Sequence, residues 1–494
     1  MKLKKSLIYS FVASAVTLQY SATAVDIVWN GSVSQDINVG GNWNGGIVPP
    51  GAGAPPDGDA FVNVATGNFP SVTAGESFAN RDWKIGMGPG NAGRLDQNAG
   101  TISTANGSWF FLGTDGASGT YNLADSSASG GTLTGMAQGT GSATCGDMYV
   151  GVGGYPWAAN TNPANRGVGT LRLNTTGSLA ATGLVNIARN GEGTMLIDSG
   201  TFSCNELWIG QGASATGITS ISGGAIVTNN WTIIGRDSGN GTLNMTGGTL
   251  TKNGGGRFIV AENATGALNL SAGTVSVNDE FWVGQGGSSN GIVTQSGGTI
   301  SCNSWVAIGR DGGTGVYNMT GGTFNKTGAS NFIVGASGPG TMTMSGNSLL
   351  NVTGGITWIG ENNAANFTMS AGSTAEVRTP QLVMGTYGGG NATVNFNGGT
   401  LKTGLIDGGD GTANVTFNGT QVVATATALP FISDLDTAVV DAGGLKIDSA
   451  GFNLASAQAF SGTGGVTKTG AGVLSLTGAS SYAGDNVLSA GTLN

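Results

Sequence analysis

A short apolar burst ending in glycine returns through most of the chain at a nearly constant interval, and this period constrains the fold more than any other feature. It reads Trp208-Ile209-Gly210, Ile233-Ile234-Gly235, Trp282-Val283-Gly284, Ala307-Ile308-Gly309, Ile333-Val334-Gly335, Trp358-Ile359-Gly360 and Val383-Met384-Gly385, with Ala261 in the glycine place of one copy. Successive landmarks from Gly210 to Gly385 therefore stand about 25 residues apart, within the range of solenoid repeats. Looser copies extend back to Ile85-Gly86, Leu112-Gly113, Val150-Gly151 and Ile187-Ala188 and forward to Gly408, which makes thirteen. Each copy continues with a polar turn and a phrase such as Gly241-Thr242-Leu243-Asn244-Met245-Thr246-Gly247-Gly248-Thr249-Leu250, in which apolar and polar residues alternate. Period two specifies strands. A unit of this size cannot bury its apolar side alone, but stacking it on like units makes one continuous core. The expected fold is all-β, a right-handed parallel β-helix (solenoid) of about 25-residue coils, because parallel crossovers are almost always right-handed. Thirteen coils at about 4.8 Å each give a rod roughly 60 Å long. A β-propeller is disfavoured, since its blades need about 40 to 45 residues.

Composition agrees with this reading and excludes several functions. Glycine supplies 93 of 494 residues and charged residues only 9%, so long helices are not expected. There is no histidine, which removes every imidazole base, Ser-His-Asp triad and His-ligated metal. Lys2, Lys4 and Lys5, the apolar run from Leu7 to Leu18 and the small residues Ala22-Thr23-Ala24 make residues 1–24 a secretory signal peptide. The net charge of −9 becomes more negative once those lysines are removed, so no nucleic-acid partner is expected. No later segment is long and apolar enough for a transmembrane helix.

A second period lies over the first. Trp208-Ile209-Gly210-Gln211-Gly212 returns as Trp282-Val283-Gly284-Gln285-Gly286, Ile234-Gly235-Arg236-Asp237 as Ile308-Gly309-Arg310-Asp311, and Phe258-Ile259-Val260 as Phe332-Ile333-Val334. Each phrase and its copy are offset by the same three landmark steps, so surface features of positions 205–278 should recur on 279–352. Cys145, Cys204 and Cys302 stand six or seven positions before their landmarks and should share one column. Four coils separate Cys204 from Cys302, about 19 Å, beyond the roughly 7 Å a disulfide allows. They are read as buried small apolar residues.

The ends differ from the middle. Trp29, Trp43, Pro49, Pro50, Pro55, Pro56 and the Asp57-Gly58-Asp59 turn mark residues 25–75 as an N-terminal cap over the open core. The pattern Trp29-Asn30-Gly31, Gly41-Asn42-Trp43 and Asp59-Ala60-Phe61-Val62 resembles the segment after the signal peptide in large bacterial surface proteins with β-strand repeats. Repeats then occupy 76–429, an irregular connecting segment 430–460, and a final motif 461–494. That motif runs Gly464-Gly465-Val466-Thr467-Lys468-Thr469-Gly470-Ala471-Gly472-Val473-Leu474-Ser475-Leu476-Thr477-Gly478, then Tyr482-Ala483-Gly484 and Ala490-Gly491-Thr492-Leu493. It resembles the autotransporter-associated β-strand repeat, also called the passenger-associated transport repeat. It departs from that family at Ser480-Ser481, where Asn-Thr is usual, and at Asp485-Asn486. The resemblance implies an exported bacterial β-helical passenger at the cell surface. Whether an outer-membrane barrel follows in a longer chain, or the protein reaches the surface otherwise, stays open.

For function, the sequence offers no catalytic, cofactor-binding or metal-ligating residues, and no cofactor is expected. Parallel β-helices also host polysaccharide lyases and hydrolases, whose sites need clustered carboxylates. The best candidates are Arg236-Asp237, Arg310-Asp311, Glu262 and Glu361, all just after a landmark. Adjacent coils put Arg236 beside Glu262, which reads as a surface ion pair. Trp208, Trp231, Trp282, Trp305 and Trp358 could stack on sugars, yet their place in the apolar burst favours packing in or near the core. G-x-G phrases such as Gly86-Met87-Gly88-Pro89-Gly90 are expected by chance at this glycine content, and Asp407-Gly408-Gly409-Asp410-Gly411 occurs only once. The expectation is a non-catalytic secreted or surface protein for adhesion, extension or matrix formation, binding carbohydrate or other surface ligands weakly and many times. The alternative is a carbohydrate-active β-helix enzyme.

Overall fold

The computed structural model describes residues 26–49, 58–104, 107–125, 136–154 and 165–494, so the expected signal peptide and Pro50, Pro55, Pro56 and Asp57 lie outside the described residues. Its strands wind as a parallel β-solenoid. The landmark bursts form a 16-stranded sheet, the first face, running in chain order from Ile27–Trp29 to Ile432–Ser433. Three coils thus join the thirteen landmarks, at Ile27–Trp29, Ala60–Val62 and Ile432–Ser433. Sixteen coils make a rod of about 75 Å.

One coil shows the plan. Glu206–Gln211 lies on the first face, Thr216–Ile221 on the second and Ala225–Thr228 on the third, before Thr232–Arg236 returns to the first. Each strand pairs with its counterpart one coil away, as in Trp208 with Ile233 and Ile226 with Leu250. The second and third faces merge into one sheet because Val168–Ala181, Glu192–Cys204, Asn240–Lys252 and Thr265–Val277 continue around the corner between them.

Alternation sorts the side chains. In Asn240–Lys252, Leu243, Met245 and Leu250 point inward and are at most 1% exposed, while Thr242, Asn244 and Thr249 face out. The inward set joins one core from Ile27 to Leu474. Aromatic rings pack along the rod axis within it, Phe258 stacking on Phe281 with centroids 5.2 Å apart and Phe281 meeting Phe324 edge-on at 5.9 Å. Such offset and edge-to-face pairs are the favoured ring geometries.

The landmark position is left-handed: φ is 75° at Gly210, 77° at Gly235 and 70° at Ala261. A Cβ at Gly210 would lie 2.0 Å from the Asn240 carbonyl oxygen of the next coil. A Cβ at Gly241, which opens that second-face strand, would meet the Gly235 nitrogen at 2.2 Å. Two glycine columns therefore interlock at this corner, and the closeness of the backbones explains why Gly-Thr recurs in the phrase.

At the N-terminal end Trp29 and Trp43 pack edge-to-face at 4.9 Å, both buried, beneath two single-turn helices, Gly40–Asn42 and Asn44–Gly46. Between 430 and 460, where the repeated phrase lapses, Thr437–Val440 and Leu445–Asp448 still pair with the preceding coil. The coil tightens beyond: Leu445 pairs with Val466 and Thr467 with Val487, shorter steps along the chain than Trp208 to Ile233 in the middle of the rod.

Candidate functional site

From Trp208 to Trp358 the outward side of the first face is apolar. Its central column runs in register through Trp208, Ile233, Ile259, Trp282, Ala307, Ile333 and Trp358. These residues form a hydrophobic cluster separate from the main core, with Trp231 and Trp305 packed against it. The five landmark tryptophans thus stand outside the main core, on the exterior of the sheet. Leu207-Trp208-Ile209 is apolar on both sides because this sheet is covered on both sides, so alternation could not reveal which way Trp208 points.

Arginines cover the rings. The Arg236 guanidinium lies 4.1 Å from the Trp208 ring centroid and that of Arg310 lies 3.8 Å from Trp282. Arg257 approaches the other side of the cluster, 5.1 Å from Trp282 and 5.4 Å from Trp231. Such contacts contribute about 0.5–2 kcal/mol each. Arg310 holds Trp282 from above while Trp305 meets it edge-on at 6.3 Å, so this ring is already occupied by protein and is not open for sugar stacking. The indole N–H groups of Trp282 and Trp358 are buried and have no hydrogen-bond partner among the described residues.

Arg236 and Glu262 sit side by side in one column, Nε to Oε2 3.0 Å, as the coil spacing predicts. The two atoms are not aligned for a hydrogen bond, so the contact is an ion pair rather than a directed bond. Burial pushes the carboxyls of Glu206, Glu262 and Glu361 up, partly offset by Arg236 for the first two and by Arg310 for Glu361. The Gln211 amide donates to Asp237 at 3.0 Å and that of Gln285 to Asp311 at 2.7 Å, which, with Ser337, holds Asp311 below its ordinary range. Arg257 faces Glu280 at 3.5 Å. These carboxylates meet guanidinium or amide partners along a ladder rather than converging on one point. Among the described residues no group of three or more His, Cys, Asp and Glu could hold a metal ion.

The three-coil repeat reaches the surface. Trp208 with Arg236 recurs three coils along as Trp282 with Arg310, and the Gln211–Asp237 bond recurs as Gln285–Asp311. Arg257 and Glu280 belong to this surface but not to the residues singled out from the sequence. A smaller outward cluster of Phe111, Tyr149 and Val152 with Trp109 occupies earlier coils of the same face. The Asp407 carboxylate accepts a hydrogen bond from Ser433 on the next coil at 2.5 Å.

The cysteines share one inward column on the third face, Cys145 pairing with Ala181, Cys204 with Thr228 and Cys302 with Lys326. All three are buried and unbridged. Burial pushes the thiol of Cys145 up to about 12 and that of Cys302 to about 11, so neither is a reactive thiolate. Lys252 and Lys326 lie in this column, fully buried, each donating to the carbonyl two residues on, Gly254 at 2.9 Å and Gly328 at 2.6 Å. Lys468 repeats the arrangement on Gly470 at 2.7 Å.

Residues 250–277 and 466–494 match the passenger-associated-transport-repeat. The chain carries passenger-associated-transport-repeats. The second match is the C-terminal motif; the first lies in the middle of the rod, among coils whose shared phrase masks it. Both begin on a Thr-Lys-x-Gly phrase whose lysine is turned inward, Lys252 in one and Lys468 in the other. No curated protein and no solved structure matches the chain. The repeat and the β-solenoid together fit a secreted passenger-like protein. Among the described residues no helix is long and apolar enough to cross a membrane.

Proposed function

We propose that the chain is an exported, cell-surface β-solenoid that acts without catalysis, in adhesion, surface extension or matrix formation. The observation that carries this reading is the recurrence, three coils apart, of one exterior arrangement, Trp208 with Arg236 and then Trp282 with Arg310. A surface presented in copies gains strength from simultaneous weak contacts, where an enzyme needs one site built once. The passenger-associated repeats support export, and the acidic net charge of −9 disfavours nucleic acid as a partner.

Two measurements test the proposal. Expressed with residues 1–24 intact, the protein should be found outside the cytoplasm, and surface proteolysis of whole cells should cut it. Incubated with neutral and acidic polysaccharides, it should leave their chain lengths unchanged. Retention in the cytoplasm refutes the export, and shortened or unsaturated products refute the non-catalytic role.

A further inference from the structure

The third face carries a grid that neither the aromatic surface nor the repeat match explains. Its outward positions come in pairs two residues apart: Thr249 and Thr251, Thr274 and Ser276, Thr299 and Ser301. Register is unbroken across them, Thr249 pairing with Thr274, Thr274 with Thr299, and Thr299 with Thr323. The inward residues between them, Leu250, Val275 and Ile300, are fully buried, which fixes the outward direction of each pair. Two hydroxyl columns result, repeating at about 4.8 Å along the rod and standing about 6.6 Å apart across it.

Buried hydroxyls of this protein are used internally, such as Thr175 on the Gly141 carbonyl and Thr420 on that of Gly398. None of the six grid hydroxyls has a hydrogen-bond partner among the described residues, and all six side chains are at least partly exposed. The grid contains no charge and no aromatic ring. Charge begins on the same face only further along, where Glu376 pairs with Lys402 at 2.8 Å.

A ligand that answers this pattern must be uncharged, must both donate and accept hydrogen bonds, and must itself repeat every few ångström in two directions. We infer that this face binds the surface of ice. Each threonine or serine hydroxyl can take a place in a hydrogen-bonded water lattice, and each threonine adds a methyl that limits competing disordered hydration. A single hydroxyl-to-water exchange is nearly neutral in free energy, and adhesion comes from many such contacts made at once on a rigid, in-register surface. A neutral polysaccharide is the less favoured ligand here. Its sugar rings call for apolar or aromatic platforms and a concave site, and this face offers an open sheet of hydroxyls. The inference does not depend on where the protein resides in the cell.

The test uses the purified full chain, fluorescently labelled, in a dilute solution from which ice is grown slowly. The protein should concentrate in the ice and halt recrystallisation of fine-grained ice. Thr274→Tyr, which breaks the grid at its centre from an outward position, should reduce the ice-bound fraction roughly tenfold, with an unchanged circular dichroism spectrum and melting temperature. Lys402→Tyr, on the same face beyond the grid, should retain it. Exclusion of the unmutated protein from ice overturns the inference, as does equal binding by the folded Thr274→Tyr variant. Retention on crystalline cellulose without retention in ice also overturns it. Failure here leaves the export and polysaccharide measurements untouched, so the two readings fall separately.

Discussion

Replacing Phe281 by alanine tests whether the coils stand in a nearest-neighbour stack. The ring is fully buried, stacked on Phe258 at 5.2 Å and edge-on to Phe324 at 5.9 Å. Truncating a buried phenylalanine costs about 3–5 kcal/mol through lost burial and the cavity left behind. Each ring pair adds about 0.5–1.5 kcal/mol. With two pairs lost and neighbours fixed in register, the upper end, about 5 kcal/mol, is expected. In a solenoid that cost stays local, because each repeat touches only its neighbours. Native-state hydrogen exchange read by mass spectrometry resolves this. Protection of strands Phe258–Glu262, Phe281–Gln285 and Val306–Arg310 should fall by about three powers of ten or more, since each 1.4 kcal/mol is tenfold. Protection of Asn391–Phe396 and Thr412–Phe417, several coils away, should be unchanged. An equal fall in all of these strands would show that the rod unfolds as a single unit, and a fall below tenfold at Phe258–Glu262 would show that the rings are not coupled along the axis.

Further outcomes follow from other contacts. A double-mutant cycle on Trp282 and Arg310 by chemical denaturation should give a coupling of about 0.5–2 kcal/mol, and zero coupling would mean that the 3.8 Å stacking is incidental. Replacing Lys252 by alanine should destabilise the protein by about 1–3 kcal/mol, because its fully buried stem would leave a cavity and its hydrogen bond to the Gly254 carbonyl would be lost; an unchanged melting temperature would refute that role. The raised thiol values set a pH dependence. Protons held by Cys145 to about pH 12 and by Cys302 to about pH 11 are released from the unfolded chain near pH 9.0. Their stabilisation is therefore complete below pH 9.0 and lost as pH rises toward 11 and 12. The variant with all three cysteines changed to alanine should lose less stability across that window than the unmutated protein, and parallel curves would refute the burial of the thiols.

The solenoid was legible because its period is written twice, once in the landmark bursts and once in the three-coil copy. Column predictions followed by counting: Arg236 does meet Glu262, and the three cysteines do share a column. What escaped had a physical reason in each case. The coils at Ile27–Trp29, Ala60–Val62 and Ile432–Ser433 carry no glycine in the landmark place, so a search keyed to glycine passes over them. Trp208 lies in a strand apolar on both sides, where parity carries no information. Nothing in the sequence singles out Lys252 and Lys326 as interior residues, since lysine is rarely buried. The corner carbonyls of Gly254 and Gly328, brought around by the fold, make a place for their ammonium groups.

The near-copy three coils along has a consequence for size. The strand holding Phe258 and the strand holding Phe332 each pair with the strand before them in the same register, so they present matching edges. Removing or adding a three-coil segment between them would therefore rejoin strands whose pairing and glycine columns still align. Length becomes a quantity that can change in discrete increments of about 14 Å without redesign of the interior. A gene encoding such a chain could yield longer and shorter variants by recombination within itself, alike in foldability and differing in how far they reach.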